Sequence, residues 1–237
     1  SPKRALEAYR RHGFHIERGV WTQGQCDVLR RLAEGLPEGR SRRFGPQMNP
    51  HRLHPIFLRA MRHPTIVAVM ERLLGTPASG LQSQFFYCMP GTPGFEPHQD
   101  NHYVEAHRDV FASAWTALED VTPENGGLYM LPGSHAEPLL PLEAVPTAKE
   151  TPGQALNAIR QRVIVPPGYQ QLDLHIPRGA VVFLHGHTIH GSNANRSTRS
   201  RRSLLMTYIR SGEPFRRGAS AGRAVIPCAD ISWNCAG

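Results

Sequence analysis

The sequence has no apolar run that approaches the roughly 18 residues of a transmembrane helix. Its amino-terminal segment, SPKRALEAYRRHGFHIE, carries charges where a signal peptide requires an apolar stretch. We therefore expect a soluble, cytoplasmic protein with no membrane partner. The chain has 237 residues, of which 40% are hydrophobic, and this is enough for one sizeable core. It shows no internal repeat and no linker, so we predict a single domain over residues 1–237.

Cysteine is also scarce, with four residues at positions 26, 88, 228 and 235. They form no CxxC pair and lack the spacing of zinc ligands, which argues against a structural zinc site and a thioredoxin-like centre. We expect free thiols in a reducing compartment, with a Cys228–Cys235 disulfide as the open alternative.

Lysine is nearly absent, since Lys3 and Lys149 are the only two, although the net charge is +8. The positive charge therefore comes from arginine, whose planar guanidinium binds carboxylates and phosphates. A nucleic-acid partner, an anionic small substrate and the codon usage of a high-GC genome each account for this composition. We favour the last two explanations and expect no nucleic-acid partner.

The first third of the chain is predicted to be mainly helical. Helical spacing of apolar residues indicates four helices, over residues 2–12, 26–36, 56–63 and 64–75. Thr22 is expected to cap the second helix and Gly75 to end the fourth. The segment FHIERGV after the first helix is predicted to be a strand, and the Pro- and Arg-rich segment 37–55 a loop.

From residue 80 the apolar pattern changes to the alternation that is typical of β-strands. Strands are predicted in LQSQFFYCMPG, PHQDNHY, VFASAWTALEDV, LYMLPGSH, QLDLHIPRGAVVFLHGHTIHGSN (two strands) and RRSLLMTYIR. The Pro-rich segment 135–165 is predicted to be a long excursion, weakly helical near 152–161. Short strands after a helical beginning predict a β-rich α+β fold, a jelly-roll barrel with N-terminal helices packed on one sheet.

The motif His98-Gln99-Asp100 has the clearest chemical meaning. On an extended strand, residues two apart point to the same face, so His98 and Asp100 would project together. The segment FLHGHTIHGSN offers three candidates for a third ligand, His185, His187 and His190. Two histidines and one carboxylate on one face of a metal leave positions open, which is the arrangement of non-haem Fe(II) oxygenases.

Three segments, in this order, resemble the phytanoyl-CoA dioxygenase family of Fe(II)/2-oxoglutarate oxygenases: HQDNHY, AWTALEDVTPENGGLYMLPGSH and GAVVFLHGHTIHGSNANRSTRSRRS. The last segment is also similar to ectoine hydroxylases, and the chain resembles natural-product tailoring oxygenases. The resemblance implies a double-stranded β-helix in which His98, Asp100 and His190 bind Fe(II), with 2-oxoglutarate and O2 as cosubstrates. His190 is preferred because of its HGSN context and because Arg201 follows it by eleven residues, the spacing of the family's 2-oxoglutarate arginine.

The resemblance further implies the residues that bind the cosubstrate. Arg201 would bind the far carboxylate of 2-oxoglutarate with its planar guanidinium, and Ser192 would donate a hydroxyl hydrogen bond to it. Alternation along the last strand lets only one of Arg201 and Arg202 point inward, and we favour Arg201. Gln84 and Trp115 match positions that line the cosubstrate pocket, and ordinary barrel-lining roles suit them equally.

Four further residues near these motifs have open roles. His185 and His187 suit positions behind the metal ligands or beside the substrate better than ligation itself. For His102 and Tyr103, a position facing the substrate and a position on the surface are equally consistent with the sequence.

The sequence thus predicts an Fe(II)- and 2-oxoglutarate-dependent enzyme that oxidises a C–H bond by hydroxylation or oxidative ring closure. The expected substrate is a small polar molecule of bacterial secondary metabolism, such as an oligosaccharide antibiotic. An amino acid or a carrier-bound acyl group is the alternative substrate. The alternatives from other classes are a non-catalytic barrel that binds a metal or a sugar, and a zinc hydrolase that uses the same ligands.

Overall fold

A computed structural model describes residues 2–145 and 161–228. This part of the chain contains six α-helices: α1 Pro2–His12, α2 Gln23–Glu34, α3 Pro37–Ser41, α4 Pro55–Met61, α5 Pro64–Leu74 and α6 Asn101–Val104. Its strands are β1 Phe14–Glu17, β2 Gln47–Met48, β3 Ala78–Phe86, β4 Phe111–Ala117, β5 Leu128–Met130, β6 Leu142–Ala144, β7 Gln161–Val163, β8 Leu172–Asp173, β9 Val181–His185, β10 His190–Ser192, β11 Ser203–Arg210 and β12 Ile226–Pro227. Two short 3-10 helices span Pro50–Arg52 and Ser134–Ala136.

The helix ends follow from local sequence signals. Thr22 caps α2, because its Oγ1 accepts the Gln25 N–H at 3.2 Å while the Gln25 side chain accepts the Thr22 N–H at 2.8 Å. Gly75 ends α5 with a φ of +76°, a conformation that side chains disfavour. Both predictions are therefore confirmed.

The strands form two antiparallel sheets and a separate hairpin. The larger sheet has the order β1-β9-β4-β11-β3-β12, with β2 also paired to β3, and the smaller sheet has the order β10-β5-β8. The hairpin consists of β6 and β7. Two facing antiparallel sheets preceded by helices are the predicted β-rich α+β jelly roll.

The helices cover one face of the larger sheet, as predicted. The core between them is formed by apolar side chains that include Leu29, Phe57, Met70, Phe183 and Met206. Because side chains alternate along a strand, the neighbours Leu184 and Leu205 point to the opposite face. That face is turned toward the smaller sheet, and a cavity lies between the two.

Segment 37–55 is not the uninterrupted loop that its composition predicts. It contains α3, β2 and a 3-10 helix, each of five residues or fewer. Elements this short show no sequence period, and β2 forms because Gln47 and Met48 pair with Phe85 and Gln84 of β3. The predicted strand FHIERGV is likewise shortened to β1.

Some predictions concern residues that lie outside the described ranges. The weak helix predicted near 152–161 falls outside them, apart from Gln161, which begins β7. Cys26 and Cys88 are free thiols, and the alternative Cys228–Cys235 pairing involves a residue outside the described part. None of the helices within residues 2–145 and 161–228 has the length and apolar character needed to cross a bilayer.

Candidate active site

His98 and His190 lie directly opposite each other across an isolated antiparallel bridge. The His98 N–H donates to the His190 carbonyl at 2.9 Å, and the His190 N–H donates to the His98 carbonyl at 3.1 Å. This pairing brings the two ring centroids within 4.3 Å. A Cβ atom at Gly191 would collide with the Phe95 carbonyl and the Tyr129 ring, so this close approach of the chains requires glycine.

Asp100 approaches the two histidines from a turn. Within the strand predicted for 97–103, only His98 has a strand partner, and Asp100 takes a helical conformation (φ −56°, ψ −32°) before α6. The predicted strand is therefore wrong, because a turn and not the two-residue alternation brings the side chains together. Asp100 Oδ1 lies 3.5 Å from His98 Nε2 and 3.6 Å from His190 Nε2.

The fully buried Gln99 holds this turn in place. Its Nε2 donates to the carbonyls of Pro138 and His187 at 2.9 and 3.0 Å, and its Oε1 accepts the Leu140 N–H at 2.9 Å. All three partners lie in distant parts of the chain. The residue between the two predicted ligands therefore anchors the turn to the rest of the protein.

The hydrogen bonds of the two histidines prepare both rings for metal binding through Nε2. His98 Nδ1 lies 2.8 Å from the Glu96 carbonyl, and His190 Nδ1 lies 2.9 Å from the Thr188 carbonyl. A carbonyl only accepts, so each Nδ1 carries a proton, and each ring is oriented to bind a metal ion through Nε2. Burial lowers the pKa of His190 to about 4, and His98 acts in the same direction.

Asp100 is held as a carboxylate. Burial alone would raise its pKa, but the His190 and His98 rings and the Ser113 hydroxyl bring that pKa below its ordinary value. The Ser113 hydroxyl donates to Asp100 Oδ2 at 2.7 Å, which leaves Oδ1 facing the histidines. Ser113 belongs to β4 and is not among the site residues predicted from the sequence. A serine between Phe111 and Trp115 on an otherwise apolar strand face was the signal that could have identified it.

The donor set fits a divalent metal ion. His98, Asp100 and His190 each offer one ligand atom, and these atoms lie within 4.8 Å of one another. Bonds of about 2.0–2.2 Å to one ion place neighbouring ligand atoms about 3–3.5 Å apart, close to the separations seen here. Two imidazoles and a carboxylate match the facial triad of non-haem Fe(II) sites. They are the only such cluster within the described ranges.

The three side chains line a cavity of about 480 Å³ between the two sheets. Arg201 lines the same cavity and is only 2% exposed. Its Nη1 donates to Ser203 Oγ at 2.9 Å and its Nη2 to the Gly126 carbonyl at 2.7 Å, while its Nε has no acceptor among the described residues. No acidic side chain of the described residues pairs with this buried guanidinium, so it suits an anionic ligand in the cavity.

The other predicted cosubstrate residues also line this cavity. The guanidinium carbon of Arg201 lies 5.4 Å from the centre of the Trp115 ring, within the range of a cation–π contact. The Ser192 hydroxyl accepts the Phe95 N–H at 3.0 Å, so its proton is available to a ligand. Gln84 lines the cavity from β3. Arg202 points out of the barrel and forms ion pairs there.

His185 and His187 do not reach the metal triad. His185 Nε2 contacts Asp109 Oδ1 at 2.7 Å, and its Nδ1 accepts the His187 N–H at 3.0 Å. The ring of His187 lies between the Glu137 carbonyl and Asn101, at 3.0 and 3.2 Å. Since Asn101 follows Asp100 directly, His187 supports the turn that carries the carboxylate.

His102 and Tyr103 have different surroundings. His102 Nε2 lies 2.9 Å from the Leu140 carbonyl, so this ring supports the chain beside the metal turn. Tyr103 lines the cavity, with its ring centre 6.4 Å from that of His98. Burial and the charge of Asp100 raise the pKa of Tyr103 to about 12. A second arginine that the sequence did not single out, Arg223, also lines the cavity and is 7% exposed.

Comparison with solved structures agrees with this fold. The structure of the epimerase SnoN in complex with Fe3+, alpha ketoglutarate and nogalamycin RO superimposes with a TM-score of 0.68 at 22% sequence identity. The superposition covers 100% of this chain and 92% of SnoN. At this level of identity the likeness establishes the double-stranded β-helix and not the substrate.

Sequence comparison gives the family. Phytanoyl-CoA dioxygenase domain-containing protein 1 of Bos taurus is 33% identical over 198 residues, which are 80% of this chain and 62% of that protein. A probable phytanoyl-CoA dioxygenase of Caenorhabditis elegans is 30% identical over 162 residues, 65% of this chain and 51% of its own. The chain thus spans about half to two thirds of the length of these relatives. Because the family model for phytanoyl-CoA dioxygenase (PhyH) matches residues 9–203, the chain belongs to the phytanoyl-CoA dioxygenase family.

Proposed function

We propose that this protein is an Fe(II)- and 2-oxoglutarate-dependent oxygenase that oxidises a C–H bond of a small molecule. One observation carries the proposal. The Nε2 atoms of His98 and His190 converge with the Oδ1 of Asp100 in a cavity that is also lined by the buried Arg201. A zinc hydrolase or a simple metal-binding barrel would use the first three residues but would leave Arg201 without a role.

Each residue has a defined role in this proposal. His98, Asp100 and His190 hold Fe(II), and Ser113 orients Asp100 by holding Oδ2. Arg201 binds the far carboxylate of 2-oxoglutarate, and Ser192 donates its hydroxyl to the same group. Trp115 and Gln84 shape the cosubstrate side of the cavity. When bound, the iron and 2-oxoglutarate supply the oxidising chemistry with O2 and release succinate and CO2, and the protein contributes position and exclusion of water.

The proposed substrate is a small polar molecule of bacterial secondary metabolism. The cavity supports it, because Gln82 and Thr207 add polar groups to its largely apolar wall. The fold neighbour SnoN was solved with nogalamycin RO, a small molecule. Hydroxylation and oxidative ring closure both fit this site, and an oligosaccharide antibiotic is one candidate substrate. The free thiols of the described part suit the reducing bacterial cytoplasm as the location.

A two-step experiment tests the proposal. Fe(II) and 2-oxoglutarate are first added without O2, and the metal-to-ligand charge-transfer band of the chelate is followed. O2 is then admitted and succinate is measured, with Asp100→Ala as the control that lacks the carboxylate ligand. The proposal expects the band and Fe(II)-dependent succinate in the wild type and neither in the variant. A binding barrel or a zinc hydrolase gives no band and no succinate, and that result would overturn the proposal.

A further inference from the structure

Arg223 is a second buried arginine in the same cavity. Only 7% of its surface is exposed, and its Nη1 donates to the carbonyls of Tyr103 and Arg216 at 2.7 and 3.2 Å. Its Nε is buried and has no acceptor, and its Nη2 forms no hydrogen bond with the described residues. Half of this guanidinium is therefore fixed by the protein, and the other half is not.

No acidic side chain of the described chain forms an ion pair with Arg223. Glu105, the nearest in sequence to its carbonyl partner Tyr103, is paired with the exposed Arg216 instead. Burial lowers the pKa of Arg223 and the charge of Asp100 opposes this, but Asp100 itself is directed at the histidines and Ser113. Burying a cation without a paired anion costs free energy, so a binding partner from outside the chain is indicated.

The surrounding loop holds Arg223 against the cavity. The Arg223 N–H donates to the Arg217 carbonyl at 2.9 Å, and the Gly222 N–H donates to the Gly218 carbonyl at 2.9 Å. Asn49 Nδ2 ties the loop to the body of the protein through the Ala221 carbonyl at 2.8 Å. Arg223 is therefore placed by backbone contacts on both sides and does not depend on a ligand for its position.

From these contacts, and resting on the proposed function, we infer that Arg223 binds an anionic oxygen group, a carboxylate or a phosphate, of the primary substrate. The far carboxylate of 2-oxoglutarate belongs to Arg201, which is held separately by Ser203 and Gly126. Arg223 lines the cavity, and its Nη2, which forms no hydrogen bond within the described residues, offers N–H donors to an anion there. The substrate is thus an acidic molecule whose remaining part lies in the apolar part of the cavity.

The test uses three probes with the same phenyl body: 3-phenylpropanoate, its neutral amide, and 2-phenylethyl phosphate. Each is titrated by calorimetry into protein loaded with Mn(II) and one equivalent of 2-oxoglutarate. At least one anion is expected to bind about 10- to 100-fold more tightly than the amide, the gain of one or two charge-assisted hydrogen bonds. The tighter of the two anions identifies the group. Equal binding of the amide and both anions would overturn the inference.

Variants test whether the preference for anions depends on Arg223 or on the overall positive charge of its loop. Arg223→Gln is expected to abolish the preference for the anion, and Arg223→Lys to retain part of it. The matched control is Arg217→Gln, which removes the same charge from an exposed side chain of the same loop and keeps the backbone carbonyl that Arg223 uses. A preference that persists in Arg223→Gln, or is lost equally in Arg217→Gln, would contradict the assignment.

Two further measurements separate a failure of the proposed function from a failure of the role inferred for Arg223. Binding of 2-oxoglutarate to each variant, measured by the same calorimetry, shows that the fold and the cosubstrate site are intact. If the wild type binds no 2-oxoglutarate, the proposed function fails, and the probes are then titrated into the metal-free protein. An Arg223-dependent preference there still supports the anion site, and its absence rejects it.

Discussion

Replacing Arg201 by alanine is expected to weaken the binding of 2-oxoglutarate by about two orders of magnitude. In the structure, one N–H of Nη1 and one of Nη2 are used by Ser203 and Gly126. The Nε–H and the second hydrogens of both terminal nitrogens remain for a ligand. The guanidinium therefore has enough donors to bind a carboxylate through two hydrogen bonds without breaking its internal contacts.

The magnitude follows from these donors. A hydrogen bond to a charged group contributes roughly 1.5–3 kcal/mol, so the loss of two costs about 3 kcal/mol or more. Each 1.4 kcal/mol corresponds to about tenfold in affinity, which gives roughly a hundredfold loss. Arg201→Lys keeps the charge and loses the planar fork, so its affinity should lie between those of the wild type and the alanine variant. The affinity for Fe(II) should change little, because Arg201 is not a ligand.

Anaerobic titration of 2-oxoglutarate into the Fe(II) protein, followed by the charge-transfer band, measures this affinity directly. Arg202→Ala is the matched control, because Arg202 is the next residue but pairs with Glu34 and Glu119 outside the barrel. It should bind 2-oxoglutarate like the wild type. Wild-type affinity in Arg201→Ala would refute the role given to Arg201, and a loss confined to Arg202→Ala would place the cosubstrate elsewhere.

His190→Ala is expected to abolish Mn(II) binding in equilibrium dialysis, whereas His187→Ala should keep it; the reverse result would identify His187 as the ligand. Ser113→Ala removes the donor to Asp100 Oδ2 and should weaken metal binding by about 10- to 100-fold in the same assay, and unchanged affinity would show that the hydroxyl is dispensable. His185 has a folded-state pKa lowered to about 4 by burial, against about 6.5 when unfolded, so it takes up a proton only on unfolding. Its contribution to the free energy of unfolding is therefore present above about pH 6.5 and is lost as the pH falls toward about 4. Between about pH 7.5 and pH 5, this loss amounts to about 2 kcal/mol. In urea unfolding, wild type should lose about that much more stability than His185→Gln over this interval, and parallel pH profiles would contradict the account.

The neutral state of His185 also has a geometric basis. Its Nδ1 accepts the His187 N–H, so it carries no proton, and its Nε2–H donates to Asp109. The short contact to Asp109 resembles an ion pair, yet protonation of Nδ1 would break the bond to His187. Burial and this bond outweigh the attraction of a carboxylate that is 70% exposed.

Local residue patterns were sufficient for much of the fold. The Thr22 cap, the Gly75 helix end and the alternation of β3, β4 and β11 depend on neighbours within a few residues, so these predictions could be made from the sequence. The expected alternation also separated Arg201 from Arg202: both directly precede β11, and Arg201 lines the cavity while Arg202 pairs with Glu34 and Glu119. The HGSN and His-Gln-Asp motifs are local too, which is why the resemblance to the family was visible in them.

The sequence by itself thus determined the four longer helices α1, α2, α4 and α5, the strand alternation and the family, all of which depend on short-range preferences and motifs. Only the tertiary structure decided how the candidate ligands meet, through the bridge between His98 and His190 and through a turn that the buried Gln99 anchors to distant backbone. Arg223 has no motif around it, and its burial depends on carbonyl groups of a loop and of Tyr103. Contacts between residues far apart in the chain leave no periodic signal, because each is set by how the elements pack and not by the residues beside it.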